Sequence, residues 1–224
     1  MNRNSRISEY KRQTRAAFSR VDPAMYCPIP HFIVREFSDK PEQARSAEAV
    51  RYAHAVHIAV DENREAFGFG KGFDAGDSAN AISRIIDDEY NSFVCMIGEE
   101  VVGGVSWRRP SPTTLEVGFL FRHKRVAQAA IGRQLLRSVL NISQAIEDKP
   151  VDDIYLDVIN PKARSIYESV GFVATREWLS DNGYVVAEMH LIGRDNIQHG
   201  IETLTQQILE ANTVPENVLE TAVS

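Results

Sequence analysis

Apolar positions along the chain switch repeatedly between a period of two and a period near 3.6, and the switches predict an ordered set of strands and helices. HFIVREF, residues 31–37, alternates as a first strand does, and Pro28 and Pro30 mark its boundary with the segment before it. Asp39, followed by Pro41 and Glu42, has the residues of a helix start, and alanines and valines continue that helix to Val60. Residues 67–76, FGFGKGFDAG, read as a glycine and phenylalanine loop, with SANAISRIIDD as a short helix after it. SFVCMI and VVGGVSW are two strands joined by Gly98, Glu99 and Glu100, a hairpin by its turn chemistry. TTLEVGFLF, residues 113–121, extends the meander and is followed by the basic segment RHKR. Ile131, Leu135, Val139 and Ile142 form the stripe of a helix predicted from about Ala127 to Glu147. DDIYLDVI, residues 152–159, reads as a buried strand. Ala163, Ile166, Tyr167 and Val170 then share one face of a short helix that Asn160 and Pro161 open and Gly171 stops. VATREWL and YVVAEMHLI flank Ser180, Asp181, Asn182 and Gly183 as a second hairpin. Ile197, Ile201, Leu204 and Ile208 make a final helical stripe, which packs either on the body of the protein or on a second subunit in a homodimer.

Composition narrows what such a chain does. Its 224 residues, 43% of them hydrophobic, suffice for one domain with extensions. A formal net charge of −6 argues against a nucleic-acid binder, which needs a basic face to neutralise phosphates. Residues 1–20 differ from this acidic body, with Arg3, Arg6, Lys11, Arg12, Arg15 and Arg20 against the single acid Glu9, and read as a solvated basic arm. Cys27 and Cys95 form neither a disulfide framework nor a zinc pattern, which fits a reducing cytoplasm. No apolar run reaches the roughly 18 residues of a membrane span, and the N-terminus carries no apolar signal region. His54 and His57 stand one helical turn apart but lack a third ligand, so no metal site is expected. The 67–76 loop lacks the spacing of a nucleotide-binding loop, although its aromatics suit the lining of a substrate site.

Asn160 to Phe172, NPKARSIYESVGF, joins a strand, a turn, a helix and a second strand around one tyrosine. Its pattern N-x-x-A-x-x-I-Y-x-x-x-G-F resembles a signature of the GNAT superfamily of acyl-CoA-dependent N-acyltransferases. The order of predicted elements is also similar to the GNAT fold, over about residues 31–192. The resemblance implies an α/β (α+β) fold: a mixed, mostly antiparallel twisted sheet of about seven strands with helices on both faces. It divides the chain into a basic arm (1–30), an acyltransferase domain (31–193) and a C-terminal helical extension (194–224).

It further implies transfer of an acetyl group from acetyl-CoA to the primary amine of a small molecule or peptide, by direct attack in a ternary complex and without a metal. By this resemblance Tyr167 protonates the departing coenzyme A thiolate. Glu116, on the strand before the cofactor loop and sixteen residues before Gly132, accepts the ammonium proton through water. The backbone N–H of Leu120 is the oxyanion donor, and Leu120, Phe121 and Arg122 pair with the pantetheine arm. Asn160 contacts the cofactor near the parting of two strands.

VAQAAIGR, residues 126–133, follows a strand and opens a helix, which is where pyrophosphate finds backbone N–H donors. It resembles the family's [QR]-x-x-G-x-[GA] loop with two departures: Ala127 stands where the family has Arg or Gln, and Ala130 where it has the first glycine. Ala127, Gln128, Ala129, Ala130, Ile131, Gly132 and Arg133 are the residues so assigned, with Gln128 and Arg125 near enough in sequence to replace the missing side chain. Good helix formers after Ala130 lead us to expect a helical residue there, for which alanine is better than glycine by roughly 0.5–1 kcal/mol. Two other readings share these features: a GNAT-fold interaction or structural module with weak or no catalysis, and a transferase of a longer acyl group.

Overall fold

The computed structural model describes residues 32–36, 51–52, 54–56, 58–59, 62, 90–97, 100–126, 130–146, 150–181 and 183–212. Seven strands, β1 (Phe32–Glu36), β2 (Asn91–Ile97), β3 (Glu100–Arg108), β4 (Thr114–Arg122), β5 (Asp153–Val158), β6 (Val173–Leu179) and β7 (Val185–Ile192), form one sheet in the order β1-β2-β3-β4-β5-β7-β6. All neighbours run antiparallel except β4 and β5, which are parallel. Three helices follow the period-3.6 stretches: α1 (Ile131–Gln144), α2 (Pro161–Val170) and α3 (Arg194–Asn212). A further helical stretch lies within residues 51–62. Among the described residues no helix is long and apolar enough to cross a membrane. The basic arm, the 67–76 loop, the short helix after it, and His57 lie outside the described residues.

The sheet is covered on both sides. Leu115, Val117, Ile154, Leu156 and Met189 are buried with Ile131, Leu135 and Val139 of α1 and with Tyr167 and Val170 of α2. On the other side Val94, Met96, Val101 and Phe121 are buried with Tyr52, Ala55, Val56 and Ala59 of the 51–62 stretch. Two successive glycines on β3 permit the close approach. A Cβ at Gly103 would lie 2.9 Å from Ile131 Cγ2, and one at Gly104 would lie 2.7 Å from Phe121 Cε1 and 2.8 Å from Tyr52 Cε2.

The C-terminal stripe resolves one open alternative. Ile197, Leu204 and Ile208 are fully buried, Arg137 Nη1 donates to Thr205 Oγ1 at 3.2 Å, and Arg133 Nε donates to Gln207 Oε1 at 2.9 Å. The α3 stripe therefore packs on the body of its own chain. The first hairpin runs as expected except that Glu100 already belongs to β3.

The expected helix from Ala127 to Glu147 is corrected at both ends. Ala130 is left-handed, with φ 51° and ψ 20°, so α1 begins only at Ile131, and it ends at Gln144. A single 3-10 turn, Lys124–Val126, precedes it. Residues 127–129 and 147–149 lie outside the described residues.

Gly104→Ala should lower stability by about 1–3 kcal/mol, because the new methyl must displace two rings packed from one side. Urea unfolding measures this, and an unchanged midpoint would mean that Tyr52 is not pressed against β3 as described.

Candidate active site

One extra residue on β4 shapes the site. Arg108 stands opposite Glu116 and Trp107 opposite Val117, but Val105 stands opposite Leu120, so Gly118 and Phe119 together oppose Ser106. Such a bulge exchanges the faces of the strand beyond it. Leu115 and Val117 lie in the core beneath α1, whereas Phe119 and Phe121 pack toward the 51–62 stretch. The same point ends the pairing with β5, whose ladder runs from Thr114–Asp153 to Val117–Leu156 and no further. Beyond Val117, no described strand pairs with this edge of β4.

Which backbone groups line that edge follows from alternation. The N–H of His123 bonds to Val102 O at 2.9 Å, toward β3. The N–H and C=O of Phe121 therefore face β3 as well, and those of Leu120 and Arg122 face the open side. Of the three residues expected along a pantetheine arm, Leu120 and Arg122 present their backbones to the gap. Phe121 turns its backbone to β3 and its ring into an edge contact with Tyr52, with centroids 5.3 Å apart.

The start of α1 lies beside this edge. Gln134 N–H is bonded to Ala130 O at 3.0 Å, and the N–H groups of Ile131, Gly132 and Arg133, the first-turn donors, have no backbone partner among the described residues. No acidic residue occurs in that turn, and Ala130 has no side-chain cap. At Gly132 an added Cβ would meet only Leu120 Cδ2, at 3.8 Å. Among the described residues the glycine thus leaves space above Leu120, a cradle suited to a phosphate approaching the backbone closely. Burial, and next the nearby charge of Arg133, lower the Arg122 guanidinium from its ordinary value, partly offset by Glu62, so two cations stand near each other at this loop. Arg125 is engaged elsewhere, in an ion pair with Glu100. Ala127, Gln128 and Ala129 lie outside the described residues.

Ala130 is the one non-glycine residue with positive φ among the described residues. The expectation of a helical alanine is therefore overturned. Its Cβ crowds the backbone in that region, at a cost of order 1–2 kcal/mol.

Tyr167 is fixed by the helix end that follows it. Asn160 Oδ1 accepts from Lys162 N at 2.9 Å and caps α2, with Pro161 in the first turn. Gly171, at φ 104°, closes the helix, with Phe172 N donating to Tyr167 O at 3.0 Å and Gly171 N to Glu168 O at 3.0 Å. The Tyr167 and Phe172 rings meet at 5.8 Å, the apolar contact that accompanies this kind of helix end. Only 7% of Tyr167 is exposed, and burial alone pushes its hydroxyl pKa up to about 12. The phenol is thus protonated across the physiological range.

Glu116 lies on the opposite face. It is directly across from Arg108 on β3 and Tyr155 on β5, and Tyr155 is directly across from His190 on β7, so four side chains form a row across four strands. Glu116 Oε2 accepts from Arg108 Nε at 2.7 Å and Tyr155 Oη at 2.7 Å, and is ion-paired with Arg108 Nη2 at 2.6 Å. The other oxygen accepts from Tyr90 Oη at 3.3 Å. Burial, and next the bond to Glu116, raise the Tyr155 phenol above its ordinary value. His190 stacks on Tyr155 at 5.5 Å, and its Nδ1 lies 2.8 Å from Asp153 Oδ1. Partial desolvation, then the charges of Glu188 and Glu116, raise the Asp157 carboxyl, an effect that the residue's contact with solvent weakens. Arg108, Tyr155, Asp157 and His190 were not singled out in the sequence. Alternation along DIYLDV, with Tyr155 and Asp157 two and four places after Asp153, was the available signal.

The acetyltransferase (GNAT) domain model matches residues 46–192. This chain belongs to the GNAT acetyltransferase family. Among solved structures, one described as an acetyltransferase is 13% identical at a TM-score of 0.60, over 84% of this chain and 96% of its own. A GNAT-family structure from Desulfovibrio desulfuricans is 14% identical at 0.53, over 72% and 98%. An aminoglycoside 6'-acetyltransferase type Ii is 15% identical at 0.52, over 71% and 96%. These likenesses are of fold. The sequence has no significant match among curated proteins.

Ala130→Gly should stabilise the protein by about 0.5–1.5 kcal/mol, the relief of left-handed strain less the greater chain entropy of glycine. Thermal unfolding tests it, and a destabilised variant would show that residue 130 is not left-handed in solution.

Proposed function

We propose that this chain is an N-acetyltransferase that transfers an acetyl group from acetyl-CoA to a primary amine by direct attack in a ternary complex. The observation that carries the reading is the open edge of β4 past Val117, set against an uncapped helix start. In this reading residues 31–193 form the acyltransferase domain and 194–224 an extension whose helix α3 covers α1. The two widely separated cysteines of the sequence accord with a cytoplasmic enzyme.

Acetyl-CoA supplies the activated acyl group. The first-turn N–H groups of Ile131, Gly132 and Arg133, with the Arg122 and Arg133 charges, hold its pyrophosphate, and Ala127, Gln128, Ala129 and Ala130 complete that loop. Leu120 and Arg122 offer backbone groups to the pantetheine arm as a neighbouring strand would, while Phe121 supports them from behind. Asn160 closes the same region as the cap of α2.

Chemically, the amine nitrogen bonds to the acyl carbon and the carbon–sulfur bond breaks. Glu116, through a water, takes the proton that the ammonium group loses. The Leu120 N–H holds the carbonyl oxygen as negative charge develops on it. Tyr167 gives its proton to the sulfur. A raised pKa suits the last role, because the hydroxyl enters the step protonated at any pH below about 10.

The acceptor is best read as a cationic small-molecule amine. Glu116, Asp157 and Glu188 gather negative charge on the face where Glu116 lies, and the aminoglycoside enzyme that shares the fold bears the name of an amine-modifying one. A peptide amine satisfies the same charge preference. The strained Ala130 favours a second reading, a GNAT-fold module that binds acyl-CoA weakly. Calorimetry with acetyl-CoA separates the two, since no heat of binding at millimolar ligand would sink the enzyme. Acetyl-CoA against longer thioesters in a coenzyme A release assay tests the acyl group.

Tyr167→Phe should reduce kcat by about 10²-fold or more while changing the acetyl-CoA dissociation constant by less than about threefold. Equal turnover in the folded variant would remove Tyr167 from the reaction.

A further inference from the structure

The carboxylate of Glu116 is held unevenly. Each carboxylate oxygen has about two lone-pair sites, and Oε2 fills both with short hydrogen bonds from Arg108 Nε and Tyr155 Oη, with Arg108 Nη2 a further 2.6 Å ion-pair contact. Oε1 receives a single long bond from Tyr90. One oxygen is saturated and the other keeps room for a proton donor.

Strand register produces this asymmetry. Arg108, Glu116 and Tyr155 occupy directly opposed positions on β3, β4 and β5. Their Cβ atoms are neighbours whatever the side chains do. The row lies on the last paired turns of the β4–β5 ladder, one residue before it ends at Val117 and Leu156. Glu116 is thus the last outward-facing side chain of β4 before the gap. Arg108 also stacks over the Tyr90 ring at 5.0 Å, so the same guanidinium orients the donor to Oε1.

We infer that Arg108 and Tyr155 are positioning residues for the acetyl transfer, gripping Oε2 so that Oε1 of Glu116 is aimed at the attacking amine or its bridging water. This inference rests on the proposed role of Glu116 as proton acceptor. A glutamate with three free torsions spreads over many rotamers, and freezing it beforehand removes that entropy from the reacting complex. Arg108 suits the task because its planar fork donates two bonds in one plane, which lysine does not. A third donor from Tyr155, whose ring is itself held by the stack on His190, restrains the carboxylate from the other neighbouring strand.

A double-mutant cycle tests it, with coenzyme A release from acetyl-CoA and the best acceptor among spermidine, kanamycin and a lysine peptide. Arg108→Gln should lower kcat by about 10- to 100-fold and Tyr155→Phe by several-fold, with the KM for acetyl-CoA within about twofold of wild type. Arg108→Lys should recover only part of the loss. Arg108→Gln combined with Glu116→Gln should be no slower than Glu116→Gln alone, within about threefold, because both changes remove one function. A double variant slowed by the product of the single effects would overturn the inference, as would full kcat in folded Arg108→Gln and Tyr155→Phe. If Arg108→Gln does not fold, Tyr155→Phe with Glu116→Gln carries the same cycle. A wild type that neither binds acetyl-CoA nor releases coenzyme A would instead bring down the proposed function on which the cycle depends.

Discussion

Everything at the candidate site depends on one extra residue in β4. An unbroken ladder would keep Leu120 and Arg122 on the face that Glu116 occupies and would have no reason to part from β5. The bulge at Gly118 and Phe119 changes both at once. It sends Leu120 under α1, against Gly132, while Phe119 and Phe121 go to the other side. Gly118 is needed for this, since an added Cβ there would lie 2.7 Å from Ser106 Oγ. A conventional strand would have satisfied its own backbone; this one leaves the groups of Leu120 and Arg122 unpaired by β5 at the point where a helix start is also unpaired. Two sets of backbone groups without a partner among the described residues thus lie side by side, an arrangement that suits an extended, phosphorylated ligand.

The helix start shows the same trade. A left-handed alanine at 130 costs stability that glycine would spare, and no acidic side chain or cap offsets the dipole of α1. Arg122 and Arg133 add repulsion rather than relief. The uncapped dipole and the two cations become favourable beside a polyanion, whereas the strain of Ala130 belongs to its own Cβ and stays. Charge therefore points to an anionic ligand, while a phosphate-binding loop with the family's usual glycine would reach the conformation at lower cost.

Much of this was legible in the sequence. Period alternation located the strands after Ser92, and the helix around Tyr167 followed from Pro161 and Gly171, because proline and glycine have few conformational uses at those places. The side of the sheet on which Glu116 lies followed from the buried neighbours Leu115 and Val117. Beyond Gly118 the same alternation misleads, since a bulge leaves no mark in hydrophobicity and every inference about faces inverts after it. Ala130 was misread for a related reason: helix propensity speaks for residues inside a helix, whereas this one lies immediately before it, where connection geometry decides. The row of Arg108, Tyr155 and His190 was invisible because it is made by pairing between strands distant in sequence.

Glu116 and Tyr167 lie on opposite faces of the sheet, and this separation bears on the chemistry. Here Tyr167 is enclosed by apolar side chains of the α1–α2 face, which favours its neutral hydroxyl, while Glu116 is held by hydrogen-bond donors of the other face. The gap between β4 and β5 past Val117 and Leu156 joins the two environments. On the proposed mechanism, an acyl carbon held at that gap would meet an amine arriving from the acidic face and a leaving sulfur on the apolar one, so one interruption of strand pairing would set the direction of the reaction as well as its place.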